Sequence, residues 1–234
     1  MDTRPGVTIA FVIVEPEAKP VAGVILFAGG SGKIKLWERS PPNLGNNFLV
    51  RSRQLFAKNG FLTAVVDVAS DQRRGGLYNI RDSGAHRQDI AAVIAWLRKT
   101  AKAPVWLIGT SRGTVSVAHL ALSLKIDGAV LTAVVTEASN RRPANVLEAK
   151  LEDITVPVLL IDHRDDDCFV TPSNNMHMIE SRLAKSARTA VMKFTGGTST
   201  DYNACSPLSH HGFLGIEDEV IAAIAGWIKA RTTP

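Results

Sequence analysis

Short apolar runs alternate with amphipathic stretches along almost the whole chain, and this alternation is the feature that most constrains the fold. Most of the runs are apolar throughout, as expected for strands that are buried on both faces of a sheet. Between two of them, Ile90, Val93 and Leu97 recur at helical spacing. Asp82 or Ser83 can start that helix. The pattern predicts an α/β fold with a mostly parallel sheet and helices on both faces. The predicted strands are residues 7–14, 21–27, 61–66, 104–108, 129–135, 156–161 and 189–194.

Length and composition fit one globular domain that spans residues 1–234. The chain is 45% hydrophobic and 21% charged, which is enough for one sizeable core, and it contains no internal repeat or long linker. A final helix is predicted after Gly215, with Val220, Ile224 and Trp227 on one face. No apolar run approaches the roughly 18 residues that a membrane-spanning helix needs, so we expect no membrane partner.

The formal net charge is +5, but the basic residues are scattered and interleave with acidic ones. A nucleic-acid-binding surface would instead concentrate them on one stripe or patch. We therefore expect a solvated basic surface and no nucleic-acid partner. Such a surface favours anionic molecules nearby.

One serine stands between two glycines where an apolar run gives way to helical spacing, in the stretch "LIGTSRGTVSV". A nucleophilic serine must project from a sharp strand-to-helix turn, which crowds the residues two before and two after it. Gly109 and Gly113 occupy those two places around Ser111. The motif alone is common, so the rest of the chain must supply a base, an acid and oxyanion donors.

The motif and its setting resemble the α/β-hydrolase superfamily, and the resemblance extends from Val7 to Lys229. Compact, nearly lidless members such as dienelactone-hydrolase-like proteins and small esterases are the most similar. The resemblance implies a serine hydrolase that cleaves a carboxylic ester or related acyl bond in a small-molecule substrate, with Ser111 as nucleophile. In this fold the acid and then the histidine follow the serine along the chain.

Both partners have candidates at the positions that the resemblance implies. The stretch "DHRDDDCFVTP" follows a predicted strand, and we favour Asp166 as the acid, with Asp167 as the alternative. The stretch "SHHGF" precedes the final helix and makes His211 the base, whereas His210 is expected to be exposed or structural. The remaining histidines, His86, His119, His163 and His177, are expected to have no catalytic role.

The glycine-rich loop "AGGSGK" lies where the resemblance places one oxyanion donor, the backbone N–H of Gly30 or Ser31. The second donor would be the backbone N–H of Arg112. The loop does not match a P-loop, because Phe27 stands where the first glycine belongs. It does not match the dinucleotide-binding pattern either, because Lys35 replaces the third glycine. No cofactor is implied.

Two departures from larger family members are expected. One strand, rather than two, precedes the oxyanion strand, which predicts a sheet of about seven strands. Only about 20 residues separate Val135 from Val156, which leaves little or no lid. The loop at 70–84 would then shape an open site, and Arg73, Arg74 and Arg81 in or beside it are either a carboxylate-binding group or surface charge.

Cys168 and Cys205 flank the acid and histidine regions, so a catalytic triad would bring them to the same edge. A disulfide between them would join the two loops and favour an exported, periplasmic or secreted protein. The alternative is two unconnected thiols in a cytoplasmic protein, which would fit the absence of a signal-peptide pattern at the start of this chain.

Two other function classes remain open. A metal-dependent hydrolase is the first, although its ligands lack a recognised spacing. A hydrolase-fold protein that binds without catalysis is the second. The substrate, whether ester, thioester, lactone or amide, and the oligomeric state are not fixed by this sequence. The metal-ligand candidates are Asp162, His163, Asp165, Asp166, Asp167, His177, His210 and His211.

Overall fold

A seven-stranded sheet forms the centre of the protein. The computed structural model describes residues 1–38, 45–139 and 144–232. The spatial order of the sheet is β3-β5-β4-β6-β7-β8-β9, with only β3 antiparallel to its neighbour. This confirms the predicted α/β class and strand number. The sheet strands are β3 (Phe11–Val14), β4 (Ala22–Phe27), β5 (Phe61–Val66), β6 (Val105–Thr110), β7 (Gly128–Thr132), β8 (Val158–His163) and β9 (Thr189–Phe194).

The first predicted strand, 7–14, is wrong as one unit. Its first part is β2 (Val7–Thr8), which pairs with β1 (Asp2–Arg4) in a separate two-stranded sheet, and only Phe11–Val14 joins the main sheet. Gly6, at φ 69°, allows the tight turn between β1 and β2. Arg4 fixes this hairpin to the neighbouring helix, because its Nε donates to Asp89 Oδ1 at 2.9 Å.

The helices cover both faces of the sheet, as predicted. One face is packed by α3 (Gly84–Ala101), α4 (Gly113–Ala121) and α5 (Met176–Arg182). The other is packed by α1 (Phe48–Arg51), α2 (Arg53–Lys58) and α6 (Glu217–Thr232). Residues alternate along the strands, so that Ile25 packs on the first face and Leu26 on the second.

Local signals explain where the long helices begin. Ser83 caps α3, since its side chain accepts a hydrogen bond from the His86 N–H. The helix ends at Lys102, which has the left-handed conformation. Three acidic residues, Glu217, Asp218 and Glu219, occupy the first turn of α6, where the helix dipole favours negative charge. Among the described helices, none combines the length and the apolar character required to cross a bilayer.

The carboxyl ends of the parallel strands bring the loops of interest to one edge of the sheet. The segment between β7 and β8 contains two short 3₁₀ turns, Val146–Glu148 and Leu151–Asp153, in its described part. Residues 140–143 of this segment lie outside the described residues. The edge therefore presents the ends of β4, β6 and β8 together with the loop that precedes α6.

Candidate active site

Ser111 stands on a strained turn between β6 and α4. Its φ is 51°, in the left-handed region that side chains other than glycine rarely adopt. The turn is held on both sides: the Ser111 N–H donates to Thr132 O at 3.0 Å, and Thr114 Oγ1 donates to Ser111 O at 2.6 Å. These bonds raise Ser111 above the end of the sheet.

The two flanking glycines are required by close packing. A methyl group on Gly109 would lie 2.5 Å from the Gly113 carbonyl oxygen. One on Gly113 would lie 2.2 Å from the Phe27 carbonyl oxygen. Both distances are far below van der Waals contact, so side chains at these positions would displace the strand-to-helix turn.

His211 lies in a 3₁₀ turn, His210–Gly212, in the loop before α6. Ser209 begins this turn by accepting a hydrogen bond from the His211 N–H. Arg51 of α1 supports the same loop, since its guanidinium donates to Pro207 O at 3.1 Å and to Gly212 O at 2.6 Å. The backbone around His211 is therefore fixed from two sides. The role of Arg51 was missed from the sequence, because the two segments are far apart in the chain.

Asp166 is the acidic residue that contacts His211. Its Oδ2 lies 2.9 Å from His211 Nδ1, and its side chain has no exposed area. The same carboxylate accepts hydrogen bonds from the Cys168 N–H and the Thr171 hydroxyl, both at 2.9 Å. Asp167, the alternative, is exposed and has no hydrogen bond to His211 among the described residues. An ionised carboxylate can only accept, so Nδ1 of His211 donates and Nε2 is left as a potential base.

Ser111 and His211 line the same cleft, which has a volume of about 350 Å³. Within the described residues, no hydrogen bond joins Ser111 Oγ to His211 Nε2. Catalytic hydrogen bonds are often long in proteins without substrate and shorten in the complex. The cleft is of a size that holds a small organic molecule.

Neutral side chains that the sequence did not indicate complete the cleft wall. They are Asn47, Phe48, Tyr78 and Pro207. Asn47 directly precedes α1 but does not cap it, and its Oδ1 is buried without a hydrogen-bond partner in the described part of the chain. Leaving a buried acceptor without a partner is energetically costly.

The glycine-rich loop after β4 borders the cleft. Gly29, Gly30 and Ser31 all line it. Gly30 has a φ of 55° and therefore needs the conformational freedom of glycine. Arg112, whose N–H was the other expected donor, directly follows Ser111 at the start of α4.

The loop at 70–84 reaches the cleft through Tyr78, but its arginines do not form a carboxylate-binding group there. The Arg73 guanidinium stacks over the Trp37 ring, 5.4 Å from its centre. Both interpretations of Arg81 were wrong: it is neither surface charge nor a substrate contact, because it is only 3% exposed and points into the protein beneath the glycine-rich loop. Nothing in the sequence separates an inward-facing arginine from an exposed one in such a polar stretch.

Cys168 and Cys205 form a disulfide, with their Cα atoms 4.6 Å apart. The bond joins the loop that holds Asp166 to the loop that holds His211. Cys205 also lines the cleft. Of the two alternatives that the sequence left open, the structure contains the bonded pair.

The other histidines differ in their surroundings. His163 is fully buried and stacks on the half-buried His210, with ring centres 4.8 Å apart. Burial disfavours the charged form of His163 and therefore lowers its pKa. Among the described residues, one group has the spacing of metal ligands, namely Asp166, Cys168 and His211. Its cysteine sulfur is in the disulfide and cannot be a thiolate ligand. This group shares only Asp166 and His211 with the candidate ligands named from the sequence.

Comparisons with known proteins identify the architecture. No protein-family model matches the sequence, and a search of curated proteins finds no match. Solved structures do match. The chain is similar to a monoglyceride lipase variant from Saccharomyces cerevisiae solved with a substrate analog, with a TM-score of 0.68, 14% identity and coverage of 100% of this chain and 95% of that one.

Two further solved structures are similar over most of their length. A cold-adapted esterase from an Arctic intertidal metagenomic library has a TM-score of 0.65 and 17% identity, and 95% of this chain and 88% of that one are covered. A serine hydrolase without a lid from Xanthomonas campestris has a TM-score of 0.60 and 14% identity, with 96% and 87% covered. At these identities the likeness concerns the architecture. The protein has the α/β-hydrolase fold.

Proposed function

We propose that the protein is a serine hydrolase that cleaves a carboxylic ester or related acyl bond. The observation that carries the proposal is the buried Asp166–His211 pair, which lies beside the cleft into which the strained turn presents Ser111. A buried carboxylate that orients a histidine next to an exposed hydroxyl is the arrangement that activates a serine. The neighbours described as an esterase and a monoglyceride lipase support the same chemistry.

In the proposed reaction, Ser111 Oγ attacks the substrate carbonyl carbon while His211 Nε2 takes the hydroxyl proton. Asp166 holds the imidazole in the required tautomer and stabilises its positive charge. The carbonyl oxygen becomes an oxyanion, which backbone N–H groups of the glycine-rich loop and of Arg112 stabilise. His211 then gives the proton to the leaving alcohol, and an acyl-enzyme on Ser111 remains.

Water completes the cycle by the same route. His211 takes a proton from water as the resulting hydroxide attacks the acyl carbon, and it returns that proton to Ser111 Oγ as the carboxylic acid leaves. All atoms come from substrate, water and the side chains named, so the reaction needs no other co-reactant. The cleft volume of about 350 Å³ favours a small acyl substrate.

We also propose that residues 1–234 form one domain and that the protein works in an oxidising compartment. The Cys168–Cys205 disulfide supports this location, because a reducing cytosol rarely preserves such bonds.

Labelling with a fluorophosphonate probe tests the proposal. We expect the native protein to be labelled, and Ser111→Ala and His211→Ala to lose the label while keeping the native circular dichroism spectrum. On a panel of p-nitrophenyl esters, either change should lower kcat about 10⁴-fold or more. His177→Ala is the matched control, because His177 is exposed and, among the described residues, its Nδ1 has a hydrogen bond only with the carbonyl of Asn174. A folded native protein that neither reacts with the probe nor hydrolyses any ester would refute the proposal.

A further inference from the structure

The guanidinium of Arg81 is buried directly beneath the glycine-rich loop. Its Nη2 donates to the carbonyl oxygens of Ala28 and Gly30, at 3.2 and 3.0 Å, and its Nη1 donates to Ser116 Oγ at 2.9 Å. Ser116 belongs to α4, the helix that begins next to Ser111. One side chain therefore connects the glycine-rich loop to the helix of the candidate nucleophile.

This cation has no carboxylate among its hydrogen-bond partners in the described residues. Burial, with a further contribution from the positive charge of Arg112, lowers the pKa of Arg81 to about 9, so the group stays protonated at neutral pH. His86, which lies 3.1 Å from Ser116 Oγ, is kept neutral, because burial and then the charge of Arg81 lower its pKa to about 3. Two loop carbonyls and the Ser116 hydroxyl are thus the groups that accept hydrogen bonds from the buried cation in the described residues.

The contact with Gly30 fixes the direction of the next N–H group. The peptide bonds of this loop are trans, and in a planar trans peptide the C=O and N–H point in opposite directions. The Gly30 carbonyl points towards Arg81. The N–H of Ser31, which belongs to the same peptide, therefore points away from Arg81. Ser31 lines the cleft, and its N–H has no acceptor within the described part of the chain.

Two further hydrogen bonds hold the peptides on either side of the Gly30–Ser31 peptide. The Ser31 carbonyl accepts a hydrogen bond from the Leu77 N–H at 2.8 Å, and the Gly29 carbonyl accepts one from the Gly32 N–H at 3.0 Å. With the two bonds from Arg81, every carbonyl from Ala28 to Ser31 is engaged. The loop therefore has little freedom to rotate the Gly30–Ser31 peptide unless Arg81 releases it.

We propose that Arg81 is a positioning residue that holds the Gly30–Ser31 peptide so that the Ser31 N–H, rather than the Gly30 N–H, serves as the oxyanion donor. Its positive charge also polarises that peptide and strengthens the N–H as a donor. The inference rests on the proposed function. It goes further by assigning the donor and by giving the buried arginine a role in the reaction.

Kinetics of Arg81→Ala and Arg81→Lys on a p-nitrophenyl ester test this role. Loss of the guanidinium frees the peptide to rotate, so we expect kcat to fall about 100-fold with little change in KM. Arg81→Lys should recover part of the loss, since an ammonium can bind one of the two carbonyls. Guanidinium chloride at low millimolar concentration should partly restore Arg81→Ala by occupying the vacated space. Arg87→Met, which removes an exposed arginine from the same region, should stay within twofold of native.

A structural readout separates this inference from the proposed function. In ¹⁵N- and ¹³C-labelled protein, Arg81→Lys should shift the Gly30 carbonyl and Ser31 N–H resonances, whereas Arg87→Met should leave both in place. Folded Arg81 variants that retain native kcat would overturn the inference while the proposed function stands. If the native protein shows no hydrolysis, the proposed function fails. If the Gly30 and Ser31 resonances of Arg81→Lys are unchanged as well, Arg81 does not order the loop either.

Discussion

At the scale of single residues, the choice between Asp166 and Asp167 shows what a sequence can and cannot specify. Both residues lie in one acidic run with equal charge and nearly equal distance from the preceding strand. The turn after β8 decides between them, because it buries Asp166 against Thr171 and His211 and leaves Asp167 in solvent. Asp166 was favoured from the sequence, but only the turn geometry supplies the physical reason.

This difference makes Asp166→Asn and Asp167→Asn a matched pair. The asparagine amide at position 166 can stabilise the wrong tautomer of His211, so kcat/KM should fall by about 10³- to 10⁴-fold. The same change at position 167 should leave kcat/KM within about twofold of native, because an exposed carboxylate there contacts no reacting group. Ester hydrolysis measured on both variants under the same conditions checks this. Equal losses in the two variants would argue against Asp166 as the orienting acid.

At the scale of elements, the strands were more predictable than the contacts between loops. The run at 61–66 is β5 with identical bounds, because an interior strand that is buried on both faces leaves a nearly continuous apolar signal. The prediction for 7–14 was wrong because one strand of the hairpin and one strand of the main sheet lie within a single apolar segment. Arg51 and Arg81 bind carbonyls far away in the chain, and backbone acceptors have no residue-type signature that a sequence could reveal.

The disulfide should contribute to both stability and activity. It closes a loop across 37 residues, for which chain entropy predicts a stabilisation of about 4 kcal/mol. Because Cys168 also donates its N–H to Asp166, release of the bond should loosen the acid as well. We expect dithiothreitol to lower both the Tm and kcat of the native protein.

The double variant Cys168→Ser/Cys205→Ser is the control for this prediction. It should resemble the reduced protein from the start and should not respond to dithiothreitol. A native protein whose Tm and kcat are both insensitive to complete reduction, verified by mass spectrometry, would show that the bond does not hold the two loops.

At the scale of the whole molecule, the buried carboxyl of Asp162 should make stability depend on pH. Burial, partly offset by the Ser173 hydroxyl, raises its pKa to about 6, and the negative charge of Asp166 acts in the same direction as burial. A raised pKa means that the folded state binds the proton more tightly than the unfolded chain does. The stabilising effect of that proton is complete below about pH 4 and is lost as the pH rises to about 6.

Asp162→Asn should therefore have a free energy of unfolding close to native at pH 4 and about 1–3 kcal/mol higher than native at pH 8. Urea unfolding at both pH values measures the difference. Asp165→Asn serves as the control, since Asp165 is exposed. Its free energy of unfolding, compared with that of the native protein, should not increase between pH 4 and pH 8 as it does for Asp162→Asn. If the free energies of unfolding of the native protein and Asp162→Asn differ by the same amount at pH 4 and at pH 8, the pKa of Asp162 is not raised.

The residues of the candidate site are spread along the chain, so a ribosome synthesises them in a fixed order. Ser31 and Ser111 are synthesised before Asp166 and His211, and Cys205 follows its partner Cys168. Folding during synthesis generally proceeds from the N-terminus, so the nucleophile's turn can form while the base is still missing. A nascent chain that stops before the segment around His211 would contain the turn at Ser111 but would lack both the base and one wall of the cleft. In the proposed mechanism, hydrolysis therefore begins only after the segment around His211 has been made and its loop has packed beside Asp166.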